Sequence, residues 1–336
     1  SKFKAVNAKT KSFTREKLKR RLCEIDAAIE RYLVELDRAD EVVRKTGMSV
    51  PDARLARAVK KLAYCRGEAN ALKAVERRMD ISGETQVSLT DPDARAMATT
   101  SRKSRVVGYN VQSAVETKHH LIIAHQVTNL GYDRDALAMM ARAAREEMSS
   151  NDIEAIADKG YYKGEEIVAC EEAGIPVTVP KPHTSNAAAH GRFDRADFTY
   201  MAGDDAYVCP AGERLTYRFT NSEAGKTLRS YWADDCGSCA IKDRCTTGQQ
   251  RRVRRWEHEE VLERVQKRLD DDPSKMSLRC QTAEHPFGTI KAWMCATHFK
   301  MKTLKHVATE MALHVLAYNL KRVMAILGVP KLLGSM

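Results

Sequence analysis

The chain has no run of 18 or more apolar residues, so no segment reads as a membrane-spanning helix. Its opening stretch, SKFKAVNAKTKSFTREKLKRRL, is too charged to hold the apolar segment of a secretory signal. A soluble, cytoplasmic protein is expected. An initiator methionine is missing too: residue 1 is Ser, and the chain reads as processed or as a fragment. The nine cysteines are odd in number and unevenly spaced. In an intracellular chain that pattern points away from disulfides, to free thiols together with a metal site.

What is present is a core-forming composition. Of the 336 residues 43% are hydrophobic, enough for one large core or two smaller ones. The formal net charge of +11 favours a polyanionic partner, because neutralised phosphates release counterions. Nucleic acid is the natural choice.

Leu18, Leu22, Ile25, Ile29, Leu33 and Leu36 recur at helical spacing, and after a break at Gly47 to Pro51 a second series runs through Leu55, Val59, Leu62, Ala69 and Leu72. An antiparallel helical hairpin is expected. From Val87 the pattern changes: residues 108–117 and 119–129 read as strands, about 133–148 as a helix, 153–157 as a short strand ending at Asp158, about 164–173 as a helix capped at Gly174, and 175–179 as a strand. Such alternation predicts an α/β layer architecture with one mixed sheet. A β-rich insert carrying cysteines interrupts it, and helices then dominate over 257–269, about 276–296 and 303–327.

The chemistry sits on carboxylates. Asp158 follows a short strand and precedes Lys159-Gly160-Tyr161, which makes it an exposed acid on a tight turn; a plain turn-capping Asp is the alternative. Glu284 lies in a helical segment with Lys291 two turns on along the same face. Pro286 and Gly288 inside that helix are unfavourable to it, so the segment serves something beyond helix formation.

Asp158-Lys159-Gly160-Tyr161, the cysteine-bearing insert, Glu284-His285-Pro286-Phe287-Gly288-Thr289-Ile290-Lys291 and Leu316-Ala317-Tyr318-Asn319-Leu320-Lys321-Arg322 occur in that order. Together they resemble a DDE transposase of bacterial insertion sequences. The resemblance implies an RNase H-like core with a helical hairpin and an inserted β-rich subdomain. It also implies two Mg²⁺ (or Mn²⁺) ions held by an Asp-Asp-Glu triad, and the cutting and joining of double-stranded DNA at terminal repeats and target. A homodimer on paired ends and a nucleoid association when DNA is bound go with it. On this reading residues 1–85 hold the start of the first strand and the hairpin, 86–182 the first part of the core, 183–257 the insert, and 258–336 the helical part that carries the Glu.

Residue by residue, the resemblance makes Asp158 the second Asp and Glu284 the Glu, with Lys291 matching a basic residue that meets DNA near the cleaved end. At the family's Tyr and Arg positions ahead of the Glu stand Ser277 and Cys280, with Arg279 adjacent. The first Asp has no match: Ser1 to Ala8 resembles the continuation of its segment, which would place that Asp just ahead of residue 1. Asp91 and Asp93 are the fallbacks within the chain, with a turn role as their alternative. With two carboxylates only, strand cleavage by the chain as given is expected to be severely impaired.

Cys209, Cys236, Cys239 and Cys245 can supply a tetrahedral thiolate set for structural Zn²⁺, with free buried thiols as the alternative. Cys23, Cys65, Cys170, Cys280 and Cys295 read as small buried hydrophobes. Arg251, Arg252, Arg254 and Arg255 beside Trp256 combine charge with an aromatic and are expected at phosphates. Three functions follow: an active transposase, a catalytically impaired DNA-binding remnant, or another RNase H-like nuclease, which the Glu284 segment disfavours. No clear helix-turn-helix is present to read DNA ends.

Overall fold

The computed structural model describes residues 1–6, 11–46, 52–98, 105–182 and 186–334. The expected break at Gly47 to Pro51 lies outside them, as do Asn7 and Ala8. The chain divides into two compact units, one of residues 1–132 with 285–336, the other of residues 133–284.

In the first unit the expected hairpin forms, but Leu33 and Val59 of the expected apolar series are exposed. Helix α1 (Arg15–Thr46) packs Leu18, Leu22 and Ile25 against Ala69, Leu72, Val75 and Met79 of α2 (Asp52–Ser82). Arg15 to Asp80 and Arg21 to Glu68 pair across it, so the two helices run antiparallel. Strands β1 (Lys2–Lys4), β4 (Arg95–Ala98), β5 (Arg105–Val115) and β6 (Ile122–Thr128) make an antiparallel sheet in which β5 is the shared partner, while β2 (Ser12–Thr14) pairs with β3 (Gln86–Ser88). A side chain on Gly108 would strike the Phe3 carbonyl at 1.9 Å, so glycine is what lets β1 lie against β5.

The second unit opens with α3 (Leu137–Met148), then β7 (Ala155–Ile156), α4 (Gly164–Glu172) and β8 (Val177–Thr178). Strands β7 and β8 pair in parallel, and Leu137, Ile167, Cys170, Ile175 and Val177 form the core beneath them. The insert is a five-stranded antiparallel sheet of β9 (Thr199–Met201), β10 (Ala206–Val208), β11 (Arg214–Glu223), β12 (Lys226–Trp232) and β13 (Val253–Trp256), with α5 (Lys242–Cys245) in its last long connection. Tyr207, Leu215, Tyr231 and Val253 make its own core. Helix α6 (Glu259–Asp271) follows, and then α7 (Lys275–Gly288), in which the boundary between the units falls after Glu284.

Back in the first unit, α7 gives way to a wide π-turn over Thr289–Trp293. Helix α8 (Leu304–Leu327) seats Val307, Met311, Val315 and Tyr318 against Tyr109, Val111 and Ile122. Gly328, at φ +78°, ends it before the short α9 (Val329–Leu333).

Two expectations are corrected. The protein is mixed α/β, but among the described residues its strands form a four-stranded, a five-stranded and two two-stranded sheets, not one mixed sheet. With two residues each, β7 and β8 expose too few backbone groups to extend the pairing. Of the five cysteines read as buried hydrophobes only Cys170 is buried; Cys23, Cys280 and Cys295 are exposed and Cys65 is intermediate. No helix among the described residues is long and apolar enough to cross a membrane.

Candidate functional site

Asp158 stands where β7 ends. Its backbone is extended and its Oδ1 accepts the Gly160 N–H at 2.7 Å, capping the short turn Lys159–Tyr161. The turn role is therefore real, but it uses only one oxygen. Oδ2 accepts from Arg279 Nη2 at 3.1 Å, and the side chain remains 41% exposed.

A helix-to-strand clamp fixes this contact. On α7, Lys275 and Arg279 stand one turn apart. Lys275 Nζ donates to both oxygens of Glu154 at 2.6 and 2.8 Å, and Glu154 also accepts from the Thr178 hydroxyl at 2.6 Å. Arg279 meets Asp158, four residues beyond Glu154. One face of α7 thus grips the acids at both ends of β7. Further along the helix, Glu284 Oε1 lies 3.6 Å from Arg279 Nη1. The two acids singled out in the sequence are joined through one guanidinium.

A third acid is close by. A Cβ on Gly160 would lie 2.9 Å from Asp158 Oδ1 and 3.7 Å from Asp133 Oδ2, so the two aspartates flank this glycine. The Tyr161 hydroxyl is held well above its ordinary pKa, chiefly by burial, with Asp133 and Asp158 adding and Arg279 opposing. Sequence reasoning passed over Asp133, whose only signal is a Gly-Tyr-Asp turn ahead of a helix, and noted Arg279 only as the neighbour of an expected position.

The fallback acids are structural. Asp91 is fully buried, and its Oδ1 accepts from the Tyr109 hydroxyl at 2.8 Å and the Thr303 N–H at 3.1 Å. Asp93 Oδ2 accepts the Leu304 N–H at 2.8 Å, at the first turn of α8. Lys291, in the first unit, is partly buried: it donates to Ser1 Oγ at 2.7 Å and the Lys2 carbonyl at 3.0 Å, and lies 4.5 Å from the Phe3 ring centroid. Burial lowers its pKa.

The four arginines differ in their commitments. Arg255 is buried, with Nη2 on Glu263 at 2.9 Å and its guanidinium 3.7 Å from the Tyr200 ring centroid. Arg254 pairs with Glu223. Arg251 lies over Phe198 and reaches the Cys245 carbonyl. Arg252 is exposed and lies over Trp232, 5.0 Å from its ring centroid.

Cys209, Cys236, Cys239 and Cys245 line one cavity of the insert with Phe193, Phe198 and Leu215. Burial pushes the Cys245 thiol up, Arg251 opposes it, and the three other thiols add to it. Among the described residues, however, no three His, Cys, Asp or Glu side chains form a group that could hold a metal ion. For a divalent cation the fit is that of a pair: Asp158 and Glu284 offer the hard oxygen donors Mg²⁺ takes, around a point where a cationic group already sits.

Residues 208–324 match the family model described as Transposase DDE domain. The matched segment includes the four cavity cysteines, Arg279 and Glu284, and stops short of Asp158 on its N-terminal side. No curated protein and no solved structure matches the chain.

Proposed function

We propose that this chain, whose residues 208–324 match the transposase DDE-domain model, is a transposase that cleaves DNA strands at the ends of an insertion sequence and joins them to target DNA. The observation that supports this reading is the sharing of one guanidinium by Asp158 and Glu284. Acids 126 positions apart have no reason to meet a common cation unless the fold brings them to one place.

In this reading Asp158 and Glu284 hold Mg²⁺ or Mn²⁺, which when bound eases ionisation of the attacking hydroxyl and stabilises the departing oxygen. Asp158 is oriented by the Gly160 amide, which fixes Oδ1 and leaves Oδ2 directed at the site. Arg252, with the insert's exposed aromatic Phe219 and its neighbour Trp232, contacts the DNA backbone. An RNase H-like arrangement of the core and a dimer on paired ends belong to the same proposal. The test is cleavage of a labelled DNA carrying the element's ends, with Mg²⁺ or Mn²⁺. Nicks at the element boundary support it.

A second reading, a DNA-binding protein impaired in cleavage, is favoured by the lack among the described residues of a three-ligand group. Retention of the DNA without nicking would select it. The cysteine cavity is the place for a structural zinc, although the thiols would have to close on the ion. About one zinc per purified chain, lost in Cys236→Ser/Cys239→Ser, is expected if they do; zinc-free protein of unchanged stability removes the idea.

A further inference from the structure

Arg279 touches both acids of the site, and its side chain is the most covered of the three: 19% exposed, against 41% for Asp158 and 71% for Glu284. Its other contact is Nη1 to Cys280 Sγ at 3.3 Å. Asp158 Oδ1 is held by the Gly160 amide and Oδ2 by Arg279, so a new ligand at Oδ2 meets Arg279 there.

We propose that Arg279 is a resident cation that keeps the place of the divalent ion and must be displaced for the ion to bind. The proposal rests on the reading of Asp158 and Glu284 as a metal-holding pair. Two carboxylates drawn to one spot repel each other. With no positive group between them they would swing apart, Glu284 most easily because it is the most exposed. A guanidinium prevents that, donating to Asp158 Oδ2 at 3.1 Å and facing Glu284 Oε1 at 3.6 Å. A divalent ion needs the same oxygens at about 2.1 Å and repels the guanidinium beside it. The two cations compete for Asp158 Oδ2. Arg279 therefore acts as a positioning residue: it stores the acids near their working arrangement and sets a threshold of ion concentration below which the site stays closed.

The competition has a readout that needs no DNA and no turnover. Mn²⁺ binding is measured by electron paramagnetic resonance of the free ion on the intact chain, with thermal unfolding followed in parallel. Arg279→Gln keeps polarity and removes charge. It is expected to bind Mn²⁺ roughly fivefold more tightly than the parent, the worth of a partly exposed ion pair of about 1 kcal/mol, and to gain more thermal stability on Mn²⁺ addition. Arg279→Lys retains the charge and is expected to stay within about twofold of the parent. Unchanged or weaker Mn²⁺ binding by a folded Arg279→Gln, with Asp158→Asn still weakening it, overturns the resident-cation proposal and leaves the metal pair standing. If Asp158→Asn and Glu284→Gln both bind Mn²⁺ as the parent does, the metal pair itself fails and the proposal falls with it. Should Arg279→Gln not fold, Arg279→Lys decides: binding raised well beyond twofold also contradicts a lock that depends on charge.

Discussion

Asp91 and Asp158 look alike in the sequence, each an acid at a turn after a short apolar stretch, and they end in opposite circumstances. In the first unit Asp91 is sealed from solvent and answered by a tyrosine hydroxyl and the amide that opens α8. In the second unit the half-exposed Asp158 gives one oxygen to its own turn and the other to an arginine that a second acid shares. Buried acids with neutral hydrogen-bond donors hold a fold together. An open acid with an exchangeable cationic partner can take a ligand instead. The difference lies in the partners, not in the residue.

The sharpest way to break this comparison is to remove the buried acid. Asp91→Ala leaves the Tyr109 hydroxyl and the Thr303 amide unanswered in the core and is expected to lower unfolding free energy by about 3 kcal/mol in urea titration. A loss below about 1 kcal/mol would show that Asp91 is not the fastener described.

Glu171 extends the comparison within the second unit. Its side chain is 13% exposed, and it pairs with Arg268 through contacts of 2.6 and 2.8 Å while accepting the Val177 amide at 3.0 Å. Burial opposes its ionisation, but the Arg268 pair and the Val177 amide outweigh burial and hold its pKa below the ordinary glutamate value. A depressed folded-state pKa gives stability that is present above the unfolded value, near 4.3, and is lost as pH falls through the folded one. Glu171→Gln should cost about 2 kcal/mol at neutral pH, and the deficit should shrink below about pH 4. Stability curves against pH that stay parallel down to acid would contradict this.

Gly160 sharpens the other side. Alanine there puts a Cβ 2.9 Å from Asp158 Oδ1, so the cap must shift. A stability loss of about 1 kcal/mol with Mn²⁺ affinity down roughly fivefold is expected; unchanged affinity would mean that the cap does not aim Asp158. The smallest effect is expected at Arg252. Its replacement by Ala should weaken DNA binding by less than about 1 kcal/mol and reduce the slope of log affinity against log salt by about 0.9. Arg255→Ala should instead act on stability, because its guanidinium is committed to Glu263.

Much of this was legible in the sequence. The hairpin, the β5 to β6 pair and α8 follow from apolar spacing that the packing uses directly. The Asp158 turn and the Glu284 helix were legible because Gly160 and Pro286 depart from what a plain strand or helix would choose. The division of strands among separate sheets was not legible, since two-residue strands such as β7 and β8 leave no period to read. Asp133 and Arg279 were missed as neighbours of Asp158 for another reason: proximity across 25 and 121 positions is a product of folding, and neither residue carries a local pattern. The arginine run misled in part, because adjacent strand residues face opposite sides and Arg255 points into cover while Arg254 does not.

The most direct test sets the two aspartates side by side: Mn²⁺ titration of folded Asp158→Asn and Asp91→Asn against the parent. Affinity lowered at least about tenfold by Asp158→Asn and unchanged by Asp91→Asn is the predicted result; the reverse order, or equal losses, would contradict the account.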